Sequence, residues 1–165
     1  MKIKIFDDNK HLKISKIIAL IFTGILLLWF TFDLTGLKFG KTKIVTSAFV
    51  DEPVDVLFYL IYVVSITCFI LTDKIGKYFL GAFLLLWGTF QFAIYFKSGE
   101  SIVAYNKTFA DTHHIIAASN DALIKDTYHI FLDILILLAL ILVVVFSVAK
   151  IIANNKKRKL RKINL

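Results

Sequence analysis

Cysteine and proline are almost absent from this chain, with one of each among its 165 residues. A single cysteine excludes an intrachain disulfide and a CxxC redox pair, so Cys68 is expected to be a small apolar filler. The lone Pro53 follows Asp51 and Glu52. An acid before a first-turn proline is typical of a helix start, because proline needs no N–H partner there and the acid meets the positive end of the helix dipole. The sequence therefore predicts a helix that begins sharply at Pro53.

Charged residues are scarce in four long segments. The chain is 58% hydrophobic with a mean hydropathy of +0.77, which is more apolar than a soluble domain of this size usually is. Four segments reach the ~20 apolar residues that a helix needs to span a bilayer, and they are 15–37, 53–72, 75–96 and 127–149. The first could instead be a secretory signal peptide, but it is long and no clean small-x-small cleavage site follows it.

These segments predict the fold class. We expect an all-α integral membrane protein in which residues 1–165 form a single domain, a four-span antiparallel transmembrane helix bundle. The residues Thr72, Asp73 and Lys74 leave room only for a tight turn between the second and third spans. Residues 1–14 form a short charged lead with no room for a fold of their own.

Basic residues are concentrated on one side of the predicted membrane. The lead, the turn between spans two and three, the tail and the adjoining span ends with Lys16 and Lys77 together hold 14 of the 20 Lys and Arg but only 3 of the 12 acids. By the positive-inside rule this side is cytoplasmic. We therefore expect a multi-pass protein of the cytoplasmic membrane with both termini inside. The abundance of Lys, Ile, Asn and Phe suggests a bacterium with an AT-rich genome.

The tail 150–165 is strongly basic. Its cationic side chains could bind anionic lipid headgroups at the cytoplasmic surface, or they could serve only to set the topology. Nucleic acid is not an expected partner, because no folded binding module accompanies the tail. The predicted headgroup-binding residues are Lys156, Lys157, Arg158, Lys159, Arg161 and Lys162.

Apart from Lys16 and Lys77 at the cytoplasmic ends, the inner halves of the four spans lack charged and amide side chains. Channels and proton-coupled transporters usually need such groups through the membrane midplane, so this absence argues against both functions. The chain also lacks an HExxH motif, a phosphate-binding glycine loop and a serine-nucleophile motif. No internal repeat is visible.

The longest non-membrane stretch, 98–126, is predicted to lie outside. Its apolar residues Ile102, Phe109, Ile116 and Leu123 recur every seven positions, which indicates a helical stripe. Ser119, Asn120 and Asp121 are typical of one helix ending and another beginning. We therefore predict two short amphipathic helices over the outer end of the spans. The other outer loop, 38–52, alternates polar and apolar residues and is expected to be extended.

Two glycines of span three, Gly81 and Gly88, share one helix face because they are seven residues apart. Small residues on one face allow another helix to approach closely. That helix could belong to the same bundle, which we favour, to a second copy in a homo-oligomer, or to another membrane protein.

Polar residues inside the spans gather near the outer ends. Gln91 and Asp133 each lie about 9 Å below the outer end of their span at 1.5 Å per residue, and His129 shares a helix face with Asp133 at i and i+4. The pattern predicts an outward-facing polar pocket, although residues at span ends can also simply face interfacial water. The candidate ligand-binding residues are His129, Asp133, Gln91, Asp55, Asp33 and Tyr59.

A divalent metal is a weaker possibility at this outer face. His113 or His114 could join His129 and Asp133 in a zinc-type site, but the cofactor itself is unknown. The leading hypothesis is a non-enzymatic protein that binds a small ligand, a lipid or a partner protein at its outer face, as an accessory subunit or an immunity-type protector. The alternative is a membrane enzyme that uses His129 and Asp133 with a metal or a quinone. A transporter is the weakest of the three hypotheses.

Overall fold

The computed structural model describes residues 3–49, 53–96, 99–116 and 123–163, and the side chains of residues 10–160 within these ranges. Four of its helices are long and apolar enough to cross a membrane. They are α1 (Ile3–Thr35), α2 (Pro53–Leu71), α3 (Gly76–Ala93) and α5 (Thr127–Ile163). The remaining elements are β1 (Leu37–Phe39), β2 (Thr42–Val45), a 3₁₀ turn (Ile94–Phe96) after α3, and α4 (Glu100–Thr108).

Helices α1 and α5 extend beyond the predicted spans. Residues 3–14 of the charged lead belong to α1, and α5 continues through the basic tail to Ile163. The α5 segment contains neither glycine nor proline, and its Lys, Arg and Leu are good helix formers. At 1.5 Å per residue the two helices are about 50 and 55 Å long, so each exceeds the ~30 Å thickness of a bilayer core.

The four long helices pack around a shared core. Helix α1 contacts α2 and α5, and α3 contacts the same two helices. Aromatic rings fill the centre: Trp87 of α3 lies 4.5 Å from Phe30 of α1 and 5.6 Å from Tyr62 of α2 between ring centroids. The Tyr62 hydroxyl donates to the carbonyl of Thr23 at 2.9 Å, so α1 and α2 are joined by a buried hydrogen bond as well as by apolar contacts.

The predicted tight turn joins α2 to α3. The Thr72 N–H donates to the Cys68 carbonyl at 2.9 Å, and the Gly76 N–H donates to the Thr72 carbonyl at 3.0 Å. A Cβ added at Gly76 would overlap the Cys68 carbonyl group and lie 2.5 Å from the Cα of Phe69. Only glycine allows this approach of the two backbones.

Gly81 and Gly88 face α5 of the same chain. A Cβ at Gly88 would lie 3.4 Å from Ile136, and one at Gly81 would lie 3.7 Å from Val143. These contacts support the internal-packing interpretation of the glycine face, since α5 already occupies it.

A cap covers one end of the four helices. Strands β1 and β2 form an antiparallel hairpin, in agreement with the extended conformation expected for this loop. The hairpin is joined to the segment after α4, because the His113 N–H donates to the Lys43 carbonyl at 2.8 Å. That segment in turn meets the start of α5, where the Thr127 N–H donates to the His113 carbonyl at 2.8 Å.

Only one of the two predicted cap helices is present in the described residues. Helix α4 agrees with the first, but residues 123–126 are not helical, so the second prediction is wrong there, and Ser119, Asn120 and Asp121 lie outside the described residues. The seven-residue stripe also ends early, because Ile116 is 62% exposed. The backbone before α5 departs from a helix where Lys125 and Asp126 turn inward to buried partners.

Candidate functional site

A buried polar site lies where the cap meets α3 and α5, and we call Lys125, Asp133, Gln91 and Tyr95 the Lys125 cluster. The Lys125 ammonium lies 2.7 and 3.0 Å from the two carboxylate oxygens of Asp133. It also donates to the backbone carbonyl and the side-chain oxygen of Gln91 at 3.0 and 3.2 Å. The Tyr95 hydroxyl donates to Asp133 at 3.0 Å. The ammonium, the carboxylate, the Tyr95 hydroxyl and the Gln91 oxygens are therefore bonded to one another within the cluster.

This ion pair is almost fully buried. The side chains of Lys125 and Asp133 are 1% and 9% exposed. Burial lowers the pKa of Lys125 below its ordinary value, while the hydrogen bond and charge of Asp133 and the charge of Asp126 oppose this effect. Buried ion pairs are stable only when geometry and additional hydrogen bonds offset desolvation, and Gln91 and Tyr95 supply those bonds.

A second group, Asp126 with His129 and Thr112, caps the start of α5. Asp126 Oδ1 accepts the backbone N–H of His129 at 2.9 Å and lies 2.7 Å from His129 Nδ1. A carboxylate that accepts an N–H three residues into a helix is a standard N-cap. Burial would raise the pKa of Asp126, but its bonds to His129 and Thr112 outweigh burial and hold that pKa below its ordinary value.

His129 and Asp133 share one face of α5, as their spacing indicated, but each bonds to a different partner. Asp133 is buried at 8% exposure and bonds to Lys125, whereas the His129 side chain is 13% exposed and bonds to Asp126. The shared helix face placed both residues on the correct side of α5, but each found a closer partner in residues 125 and 126.

The weak metal candidates are not brought together. His113 Nδ1 lies 2.7 Å from the Thr127 hydroxyl, and His114 Nε2 lies 2.9 Å from the Phe109 carbonyl. Within the ranges that the structure describes, no group of three or more His, Cys, Asp or Glu side chains could hold a metal ion. The four predicted ligands, His113, His114, His129 and Asp133, therefore form no common site.

The other candidate pocket residues are dispersed among separate contacts. The Tyr59 hydroxyl lies 3.2 Å from that of Thr31, and Asp33 is buried at 8% exposure. Asp55 and Gln91 border a small cleft of about 240 Å³ between α2 and α3. The contacts of these residues lie at separate places in the fold, and the outward-facing pocket stays a prediction from the sequence.

Trp29 and Tyr128 connect α1 to the start of α5. Their rings are stacked with centroids 5.3 Å apart. The Trp29 Nε1–H donates to the Tyr128 carbonyl at 3.3 Å, and the Tyr128 hydroxyl donates to the Trp29 carbonyl at 3.2 Å. This reciprocal pair fixes α1 beside the capped start of α5.

Lys125, Asp126 and Tyr128 were not among the predicted site residues. A signal existed for Asp126, because an Asp directly before an apolar helical segment is a common N-cap. Lys125 gave no comparable signal, since its partner Asp133 is eight residues away and lies beyond a helix start.

The opposite end of the helices is held by Asp73. Its carboxylate lies 2.6 Å from Lys16 of α1 and 2.9 Å from Lys150 of α5. Partial burial would raise the pKa of Asp73, but the hydrogen bonds and charges of the two lysines lower it below its ordinary value. The α2–α3 turn is thereby attached to both of the longest helices.

No protein-family model, curated protein or solved structure matches this chain. The functional interpretation therefore depends on the geometry of the chain itself.

Proposed function

We propose that the chain is an integral protein of the cytoplasmic membrane, folded as an antiparallel four-helix bundle with both termini inside. Large apolar side chains are exposed along all four long helices, among them Leu28, Leu60, Leu85 and Val145, and lipid would cover them. The contacts at the two ends of the bundle support helices that alternate in direction. Asp73 meets Lys16, where the apolar part of α1 begins, whereas Trp29, near the end of α1, meets the start of α5.

The basic C-terminal extension of α5 fits this orientation. Lys157, Arg158 and Lys159 are exposed on the helix, and the side chains of Arg161 and Lys162 lie outside the described ones. A cytoplasmic leaflet with anionic lipids would attract this surface. Together with the 14 basic residues on this side, it favours a cytoplasmic location for the Asp73 end.

Cysteine labelling tests the topology. In a Cys68→Ser background, Ser101→Cys on α4 is expected to react with a membrane-impermeant maleimide in intact cells. Asn154→Cys at the other end should react only after lysis. Both native side chains are exposed, so accessibility alone should not distinguish them. Labelling of Asn154→Cys in intact cells, with Ser101→Cys protected, would reverse the orientation.

The function that the geometry supports best is binding of a partner protein through the outer cap, as an accessory subunit or a protector. The Lys125 cluster is the observation that favours a protein partner over a small ligand. Its polar groups bond to one another and leave few hydrogen-bonding groups for a small ligand. The cap surface, in contrast, exposes large apolar side chains that a protein surface could cover. They are Phe39, Phe49, Val103, Ile115 and Ile116.

Site-specific photo-crosslinking in living cells tests this proposal. A benzophenone amino acid at Phe39 or Ile116, which are 67% and 62% exposed, should give the same discrete protein adduct. The matched control is the exposed Asn155 at the other end, where that adduct should be missing. Adducts with lipid alone at positions 39 and 116 would show that these side chains lie in the headgroup layer and would contradict a partner-binding cap.

The enzyme alternative now depends on His129 with Asp126 instead of Asp133. A carboxylate 2.7 Å from the imidazole can orient a histidine as a general base, and stoichiometric metal in the purified protein would favour this alternative. A transporter gains no support, because the buried polar residues near the middle of the described core, Thr23 and Ser65, bond to carbonyls within their own helices.

A further inference from the structure

A basic cavity lies at the Asp73 end, between the α2–α3 turn and the extension of α5. Its volume is about 620 Å³. Lys74 and Lys77 border one side, and Lys150 and Arg158 border the other. The apolar part of the wall includes Tyr78 and Ile151. The cavity thus combines several cations with an apolar surface.

Lys77 is the unusual member of this wall. The residue is only 5% exposed, and its Nζ lies 4.7 Å from the centre of the Tyr78 ring. Among the residues that the structure describes, no carboxylate pairs with Lys77. A buried cation without an anion is costly. An anion bound in the cavity would compensate the charge of Lys77 and stabilise the protein.

The carboxylate at the edge of the cavity is already engaged. Asp73 is bound on both sides by Lys16 and Lys150, which leaves Lys74, Lys77 and Arg158 as excess positive charge. Helix α3 also begins here, and its N-cap residue Ile75 supplies no side-chain hydrogen bond. The positive end of the α3 dipole adds to the attraction for an anion.

We propose that this cavity binds the phosphate group of an anionic phospholipid. The inference depends on the membrane orientation given above, which places the cavity at the cytoplasmic interface. Lys77 and Arg158 would contact the phosphate, while Tyr78 and Ile151 would pack against the glycerol and upper acyl chain. The apolar wall favours a lipid over free phosphate, and burial of Lys77 distinguishes the cavity from the exposed basic tail.

Thermal unfolding of the full chain in dodecyl maltoside micelles tests the site. Titration with dioleoylphosphatidylglycerol should raise the melting temperature with saturation, whereas dioleoylphosphatidylcholine should not. Each Lys or Arg near an anionic surface contributes about 1 kcal/mol to binding. Arg158→Gln should therefore raise the phosphatidylglycerol concentration at half-saturation by about fivefold. The matched control Lys159→Gln removes one charge from an adjacent exposed position outside the cavity and should weaken lipid binding clearly less than Arg158→Gln does.

Lys77→Met provides an independent variant that keeps an unbranched side chain of similar shape without the charged terminal nitrogen. It should bind phosphatidylglycerol more weakly by at least about fivefold and, without lipid, melt no lower than the native chain, because it removes a buried unpaired charge. Equal losses in Arg158→Gln and Lys159→Gln would assign binding to the tail and overturn the cavity proposal. Equal stabilisation by inorganic phosphate would overturn the choice of a lipid. The cysteine-labelling experiment judges the orientation separately.

Discussion

Replacing Lys125 by methionine is expected to destabilise the protein by about 3–5 kcal/mol, because removal of one partner of a buried ion pair leaves the other charge uncompensated. Asp133 would remain in a buried site with only the Tyr95 hydroxyl donating to it among the bonds described here. Gln91 would also lose the donor to its carbonyl and side-chain oxygens. Reversible unfolding in micelles, monitored by circular dichroism, measures the loss.

A double-mutant cycle separates the ion pair from packing. Asp133→Leu alone should also be costly, because Lys125 would stay buried without its carboxylate. The combined Lys125→Met and Asp133→Leu variant should be more stable than either single variant, since no charge then remains buried at the pair. The control Lys107→Met, at an exposed position of α4, should change stability by less than about 0.5 kcal/mol. Additive losses in the cycle would show that the two charges do not depend on each other.

The pH dependence of Asp133→Leu gives a second measurement of the same pair. Burial already holds the pKa of Lys125 below its ordinary value, and loss of Asp133 should lower it further. The unfolded chain then binds more protons than the folded one between the lowered pKa and the ordinary value of about 10.4. Stability of Asp133→Leu should therefore rise as the pH is raised through this interval. A flat profile would mean that Lys125 moves to solvent in the variant.

The sequence allowed prediction of the four long helices because their signal is local and repeated. An apolar run of about 20 residues identifies a span without knowledge of any partner, and Pro53 marked the start of α2 correctly. Hydrophobicity did not predict where α1 begins or where α5 ends, because a helix can continue beyond its apolar residues when its polar residues are good helix formers. The charged residues before Ser15 and after Ala149 therefore looked like separate tails.

The polar contacts were less predictable because they depend on where the chain turns. The i, i+4 spacing correctly placed His129 and Asp133 on the inward face of α5, but it could not show that residues 125 and 126 would compete for them. Those partners come from the non-helical segment just before Thr127, whose N–H bonds to the His113 carbonyl, while the His113 N–H bonds to Lys43 of the hairpin. Such long-range backbone contacts leave no periodic pattern in the sequence.

Replacing Gly76 by alanine should cost at least about 3 kcal/mol, near or above the upper range for overpacking a close contact. The new Cβ would overlap the backbone of Cys68 and lie 2.5 Å from the Cα of Phe69. A side chain could rotate away, but backbone atoms within α2 cannot move without separating α2 from α3. That movement would also displace Asp73 from Lys16 and Lys150.

Two other glycines provide a graded comparison for Gly76→Ala. A Cβ at Gly24 would meet no heavy atom within 4 Å, so Gly24→Ala in α1 should stabilise the protein by about 0.5–1 kcal/mol through helix propensity alone. Gly81→Ala would add an ordinary contact with Val143 at 3.7 Å and should be close to neutral or mildly stabilising. The free energy of unfolding in micelles should therefore be much higher for Gly24→Ala and Gly81→Ala than for Gly76→Ala. An equal free energy of unfolding for all three variants would show that the close approach of the two backbones at Gly76 does not limit stability. Helix propensity would then be the only effect of the substitutions.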